Sequence, residues 1–116
     1  MHELPITERI LDVVLRHAAG QRISKIVRIH LRIGELSDLQ GEWIQHYFDY
    51  LSRGTLAENA QLAITRAPIV VSCSACARSF EIKREELGHA TCPDCGEPGL
   101  ELVSGREYFI ENMEVL

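Results

Sequence analysis

Cysteine occurs at four positions in the chain, as two pairs, Cys73-x2-Cys76 and Cys92-x2-Cys95, with fifteen residues between them. Two thiolates three positions apart in a turn converge on one ion, and two such turns close a tetrahedral four-sulfur site of the kind zinc prefers. Iron in the same cage is the alternative. Two disulfides would need an oxidising compartment, and the start Met1-His2-Glu3 carries an acid where a secretory leader would carry a base. Zinc held by four thiolates has no open coordination position, so this site is expected to retain its ion and to catalyse nothing.

The second set of donors stands at the start of the sequence. With histidine at position two, the amine of Met1, the amide nitrogen of His2 and its imidazole Nδ1 close a five-membered and then a six-membered chelate ring. In-plane nitrogen donors of this kind match the square-planar preference of Ni(II) or Cu(II). Glu3 adds an oxygen donor or orients the imidazole from outside the coordination shell. The same dipeptide is also compatible with a disordered end whose histidine binds nothing. No glycine-rich phosphate loop, no serine in a nucleophile elbow and no spare cysteine is present, and no catalytic residue is assigned.

Charge narrows the partners. Twelve basic against seventeen acidic residues leave a net charge of −5, and aromatic residues make up 6% of the chain. Paired-cysteine ribbons that bind nucleic acid bring a basic stripe and stacking platforms, and neither is supplied, so no nucleic-acid partner is expected. The apolar runs are only a few residues long, far short of the roughly 20 that cross a bilayer, so no membrane partner is expected either.

These donors need a frame. Ile6, Ile10, Val13, Val14 and His17 form the stripe of an amphipathic helix from about Pro5 to Ala19, with Pro5 suited to the first turn and Gly20 to a left-handed stop. Alternation through Val27, Ile29, Leu31 and Ile33 predicts a half-buried strand over Lys25 to Ile33. A second helix is expected from Gln40 to Ser52, with Ile44, Tyr47, Phe48 and Leu51 on one side and Trp43 at the margin. Leu62 and Ile64 mark a strand over Gln61 to Arg66, ended by Pro68. From Glu107 to Val115, alternation through Tyr108 and Ile110 resumes out of phase at Met113 and Val115, as a bulge near Glu111 and Asn112 would produce.

The segment 69–104 holds every cysteine. At about 36 residues it is too short for a sufficient apolar core, so the metal is expected to supply on the order of 10 to 16 kcal/mol, as in zinc-finger peptides. The expected architecture is α+β: two helices on one face of a small three-stranded sheet, with a tetrathiolate zinc-ribbon-like lobe inserted before the last strand. Residues 1–68 with 105–116 form one domain and 69–104 the other.

Met1-His2-Glu3, Ile33-Gly34-Glu35-Leu36, Arg53-Gly54-Thr55, Ala60-Gln61-Leu62-Ala63-Ile64, the paired cysteines and Gly105-Arg106-Glu107 occur in that order. As an ordered set spanning essentially the whole chain, they resemble the HypA/HybF family of hydrogenase nickel-incorporation proteins. The resemblance implies a cytoplasmic metallochaperone, not an enzyme. It would take Ni(II) as transient cargo at Met1, His2 and Glu3 and pass it on during maturation of the [NiFe]-hydrogenase large subunit, assisted by a GTPase. Zn(II) at Cys73, Cys76, Cys92 and Cys95 would be structural, and the chain a monomer or homodimer. His89, the only histidine of the lobe, is a further nickel donor if the lobe folds back toward His2. The competing functions are a zinc-ribbon adaptor and a rubredoxin-like electron carrier, the latter raised by Cys92-Pro93-Asp94-Cys95-Gly96.

Overall fold

The computed structural model describes residues 3–116. Its elements run α1 (Glu3–Ala18), β1 (Ile26–Gly34), α2 (Gly41–Leu51), β2 (Gln61–Ala67), β3 (Ile69–Cys73), β4 (Ser79–Ile82), a 3₁₀ turn (Arg84–Glu86), β5 (Leu100–Ser104) and β6 (Tyr108–Val115). The strands make two three-stranded sheets, ordered β2-β1-β6 and β4-β3-β5. The first is the sheet expected from the sequence, with the last strand returning beside β1. The second has no counterpart in the sequence-based reading, because its strands are only four or five residues long and too short to display a period. The fold is α+β.

The chain divides into two compact units. The first comprises the chain up to Arg32, Leu39–Thr65 and Phe109–Leu116; the second comprises Ile33–Asp38 and Arg66–Tyr108. Ile33–Asp38 thus groups with the cysteine-bearing segment, a long-range association that local patterning does not carry.

In the first unit, α1 starts at Glu3, two residues before the sequence-based start. Pro5 still falls within the first turn, where its missing N–H leaves no bond unmade. The buried face of α1 is Thr7, Ile10, Val14 and Ala18, so the stripe lies one step round from His17, which is exposed. α1 packs on α2, whose inner face is Ile44 and Phe48, both fully buried. α2 meets β2 at its first residue: a Cβ on Gly41 would stand 2.7 Å from the Ile64 Cδ1. Gln45 reinforces this contact, accepting the Leu62 N–H at 2.8 Å. In β1, Ile29 and Leu31 are buried as alternation predicts, whereas at the strand entry Ile26 is buried in place of Val27. In β6, Ile110 and Met113 are the half-buried residues, a spacing that unbroken alternation cannot put on one face. Tyr108 and Val115 are exposed.

In the second unit, β3 pairs antiparallel with β4 on one side and β5 on the other. Its buried apolar cluster is small: Ile69, Val71 and Ile82, with Leu36, Phe80, Ala90 and Leu100 packed around them. Two of the sequence motifs meet here. Gly34 N–H donates to the Glu107 carbonyl at 2.7 Å and Leu36 N–H to the Gly105 carbonyl at 2.8 Å. A Cβ on Gly34 would stand 2.0 Å from the Gly105 oxygen, so only glycine fits. The Ser104 hydroxyl donates to the Pro68 carbonyl at 3.1 Å.

Candidate metal centre

Each cysteine pair sits in a knuckle, and the two are built alike. In the first, Ala77 N–H donates to the Cys73 carbonyl at 2.8 Å, and Cys73 N–H donates to the Arg78 carbonyl at 2.8 Å. In the second, Gly96 N–H donates to the Cys92 carbonyl at 2.8 Å, and Cys92 N–H donates to the Glu97 carbonyl at 3.0 Å. The residue after each second cysteine takes a left-handed conformation, with φ 61° at Ala77 and 77° at Gly96. Glycine adopts that conformation freely, while alanine does so at a cost. This turn lets two thiols three residues apart point to one place.

The four Sγ atoms lie within 4.8 Å of one another, with Cys73 and Cys95 sulfurs 3.5 Å apart and Cys76 and Cys92 sulfurs 3.6 Å apart. A disulfide would need about 2.05 Å. A tetrahedron of Zn–S bonds of about 2.3 Å places its sulfurs roughly 3.8 Å apart, so the donor set fits a single tetrahedral ion. Cys73 and Cys92 are buried, and Cys76 and Cys95 are exposed.

Electrostatics point the same way. The Cys95 backbone N–H aimed at the Cys92 sulfur lowers that thiol to about 7. Cys95 meets the opposite fate: the Glu97 backbone favours its thiolate, but the Cys73 sulfur, with the Cys92 and Cys76 thiols and the loss of some water around it, pushes it up to about 12. Four sulfurs this close cannot all be charged without a cation among them. Sequence reasoning missed one support. The Arg78 guanidinium donates to the Asp94 carboxylate at 2.6 Å, tying one knuckle to the other, and Asp94 raises Arg78 above its ordinary value. The sequence signal available was the presence of a base, Arg78, just after one pair and an acid, Asp94, within the other.

Met1 and His2 lie outside the described residues. Glu3 is 5% exposed, and its carboxylate accepts the Gln40 backbone N–H at 3.0 Å. Gln40 is the N-cap of α2, so Glu3 accepts the N–H that a Glu at the third helical position accepts in a capping box. The Thr7 hydroxyl donates to the Glu3 carbonyl at 2.5 Å. His89 follows the 3₁₀ turn in the second unit and lines an apolar cavity there.

A family model described as "Hydrogenase/urease nickel incorporation, metallochaperone, hypA" matches residues 1–115. The chain belongs to the HypA family. The hydrogenase maturation factor HypA of Geobacter sulfurreducens is 37% identical, the alignment covering 99% of each chain. The factor of the same name from Dehalococcoides mccartyi is 36% identical over 99% of this chain and 94% of its own. Among solved structures, the Ni metallochaperone HypA of Helicobacter pylori aligns over 100% of this chain and 98% of its own, with a TM-score of 0.66 and 22% identity. A second HypA solution structure aligns with a TM-score of 0.77 at 22% identity, covering 100% and 97%. The HypA fold is shared even at that distance. Family membership makes the chain a nickel-incorporation metallochaperone of hydrogenase maturation, with a four-cysteine cluster suited to a structural metal. Among the described residues, no helix is long and apolar enough to cross a membrane.

Proposed function

We propose that the chain binds one Ni(II) at its N-terminus and delivers it in the cytoplasm to the [NiFe]-hydrogenase large subunit, with a maturation GTPase assisting and no catalysis by the chain itself. The Met1 amine, the His2 amide nitrogen and the His2 imidazole supply in-plane donors; selectivity rests on planar geometry, since copper is favoured over nickel by affinity. Zn(II) occupies Cys73, Cys76, Cys92 and Cys95 and keeps the segment 69–104 folded as a domain distinct from 1–68 and 105–116. A site of few ligands at a chain end releases its ion more readily than a closed sulfur cage.

The observation that carries this reading is the burial of Glu3 with its carboxylate on the Gln40 N–H. It holds the residue next to His2 against the entry of α2, so Glu3 acts as an anchor of the donor segment more than as a free ligand. The family match, which begins at residue 1, supports it. His89 is left out of the nickel shell in this proposal.

The test is a nickel titration of the protein starting at Met1 beside one extended by a single residue and beside His2→Ala. The native start is expected to take one Ni(II) with low-spin planar absorbance, and both variants to lose that absorbance while keeping zinc. Glu3→Gln is expected to weaken nickel by about ten- to a hundredfold, the usual effect of removing a supporting contact. Unchanged affinity in the extended protein would remove the reading.

A further inference from the structure

The motif Gly105-Arg106-Glu107 is only partly explained by packing. Gly105, with φ 126°, lets the backbone approach the Ile69 Cα, where an added Cβ would come within 3.2 Å. Glu107 ties the turn, its carboxylate accepting the Gly105 N–H at 2.6 Å. Arg106 plays no such part, for it is exposed, and among the described residues its side chain has no ion-pair or hydrogen-bond partner. Its position is nonetheless specific. Together with His89, it lines a cavity of about 290 Å³ whose other walls include Leu36, Ile82, Leu100 and Leu102. His89 is likewise exposed and without a side-chain partner among the described residues.

We propose that this cavity is a binding site for the carboxy-terminal residue of a partner chain, taking an apolar side chain against the leucine and isoleucine walls and the α-carboxylate on Arg106 and His89. The chemistry selects this occupant. The walls are carbon, and Leu102 is left 39% exposed, so the buried part of a ligand is apolar. Arg106 and His89 bring the only charged or chargeable side chains to the lining, in a chain whose net charge is −5, so the ligand carries a negative group. A guanidinium fork matches a carboxylate with two parallel N–H···O bonds. An imidazole supplies one N–H donor even when neutral. Both donor side chains line the same small cavity as the apolar walls. A carboxylate and an apolar side chain carried on one atom, as at the Cα of a terminal residue, meet both kinds of lining within a single small cavity. No acid lines the cavity, and the Glu107 and Glu86 carboxylates accept the Gly105 and Lys83 N–H groups. No cysteine lines the cavity, so its ligand would not compete with the metal held by the knuckles.

The experiment is an amide-resolved NMR titration of the full zinc-loaded chain with acetyl-Ala-Leu bearing a free carboxylate. The acid is expected to shift Gly88, Ala90, Leu100 and Leu102 saturably. Three changes are each expected to weaken it by about tenfold or more: amidating the carboxylate, Arg106→Met, and replacing the terminal leucine with glycine. Arg84→Met, outside the lining, should leave binding unchanged. Equal affinity of acid and amide, or no response at these residues, overturns the proposal without recourse to any variant. Shifts that grow on concentrating the protein alone would make a second copy the occupant and overturn it as well.

Discussion

In the first unit, Val14, Ile29, Ile44 and Phe48 come from two helices and a strand, and all are withdrawn from water. In the second, the buried apolar cluster is Ile69, Val71 and Ile82, and the neighbouring buried side chains include the sulfurs of Cys73 and Cys92. The first unit is organised by burial of hydrocarbon, whose stabilisation grows with the area removed from water. The second has too little hydrocarbon for that and gathers its chain around four donors that need a cation. The contrast suits a metallochaperone: one metal is part of the architecture, while the other has to leave.

The largest effect that sharpens this contrast is removal of the structural ion. Chelation, or Cys76→Ser, is expected to cost the second unit stability on the order of 10 kcal/mol. Amide dispersion should be lost across 69–104 but kept at Ile29, Ile44 and Phe48. A first unit that melts together with the zinc would break the comparison. Next comes Phe48→Ala, which empties a fully buried site on α2 and should cost about 3–5 kcal/mol. Denaturant unfolding would measure the loss, and zinc content should not change.

Smaller effects test the knuckles. Gly96→Ala places a Cβ on a residue with φ 77° and should destabilise the second unit by about 1 kcal/mol. Ala77→Gly, at φ 61°, relieves the same strain but loosens the unfolded chain, for a net gain of about 0.5 kcal/mol. The resistance of bound zinc to a competing chelator would rank the variants.

The smallest effect belongs to the first unit and is read in pH. The His30 Nε2 lies 2.6 Å from the Glu114 carboxylate, with Arg28 at 3.6 Å. His30 first, then Arg28, hold Glu114 below its ordinary 4.5. A carboxylate depressed in the folded state adds stability above its unfolded value, and that stability is lost as the pH falls through the folded value. Unfolding free energy should therefore decline as acid is added below about 4.5, and Glu114→Gln should flatten the decline. A slope unchanged by that substitution would assign it to other carboxylates.

Much of the first unit was legible because its elements are long enough to show a period. Ile10 and Val14, Ile29 and Leu31, and Ile44 and Phe48 all occupy the buried positions that their spacing predicts. The departures from the expected pattern have local causes. Ile26 is buried at a strand entry, where alternation has no preceding turn to set its phase, and His17 lies one position before Ala18, on which the buried stripe ends. The cysteine cluster was legible from spacing, because tetrahedral coordination constrains the turn so tightly. The tie from Glu3 to Gln40 was not, since it joins residues 37 apart through one carboxylate and one backbone N–H. The short second sheet and the cavity beside Arg106 arise from long-range pairing, for which the linear pattern holds no signal.

The bond from Ser104 to Pro68 has a further consequence. It ties the chain entering β3 to the chain leaving β5, so the two ends of the cysteine segment stay together while Leu36, from outside that segment, completes its apolar cluster. Such a module can lengthen, shorten or change its ligands over evolutionary time without moving the points at which the rest of the polypeptide enters and leaves it. Grafted into another host, it would need a stand-in for Leu36 and for the backbone bonds that Gly34 and Leu36 make to Glu107 and Gly105.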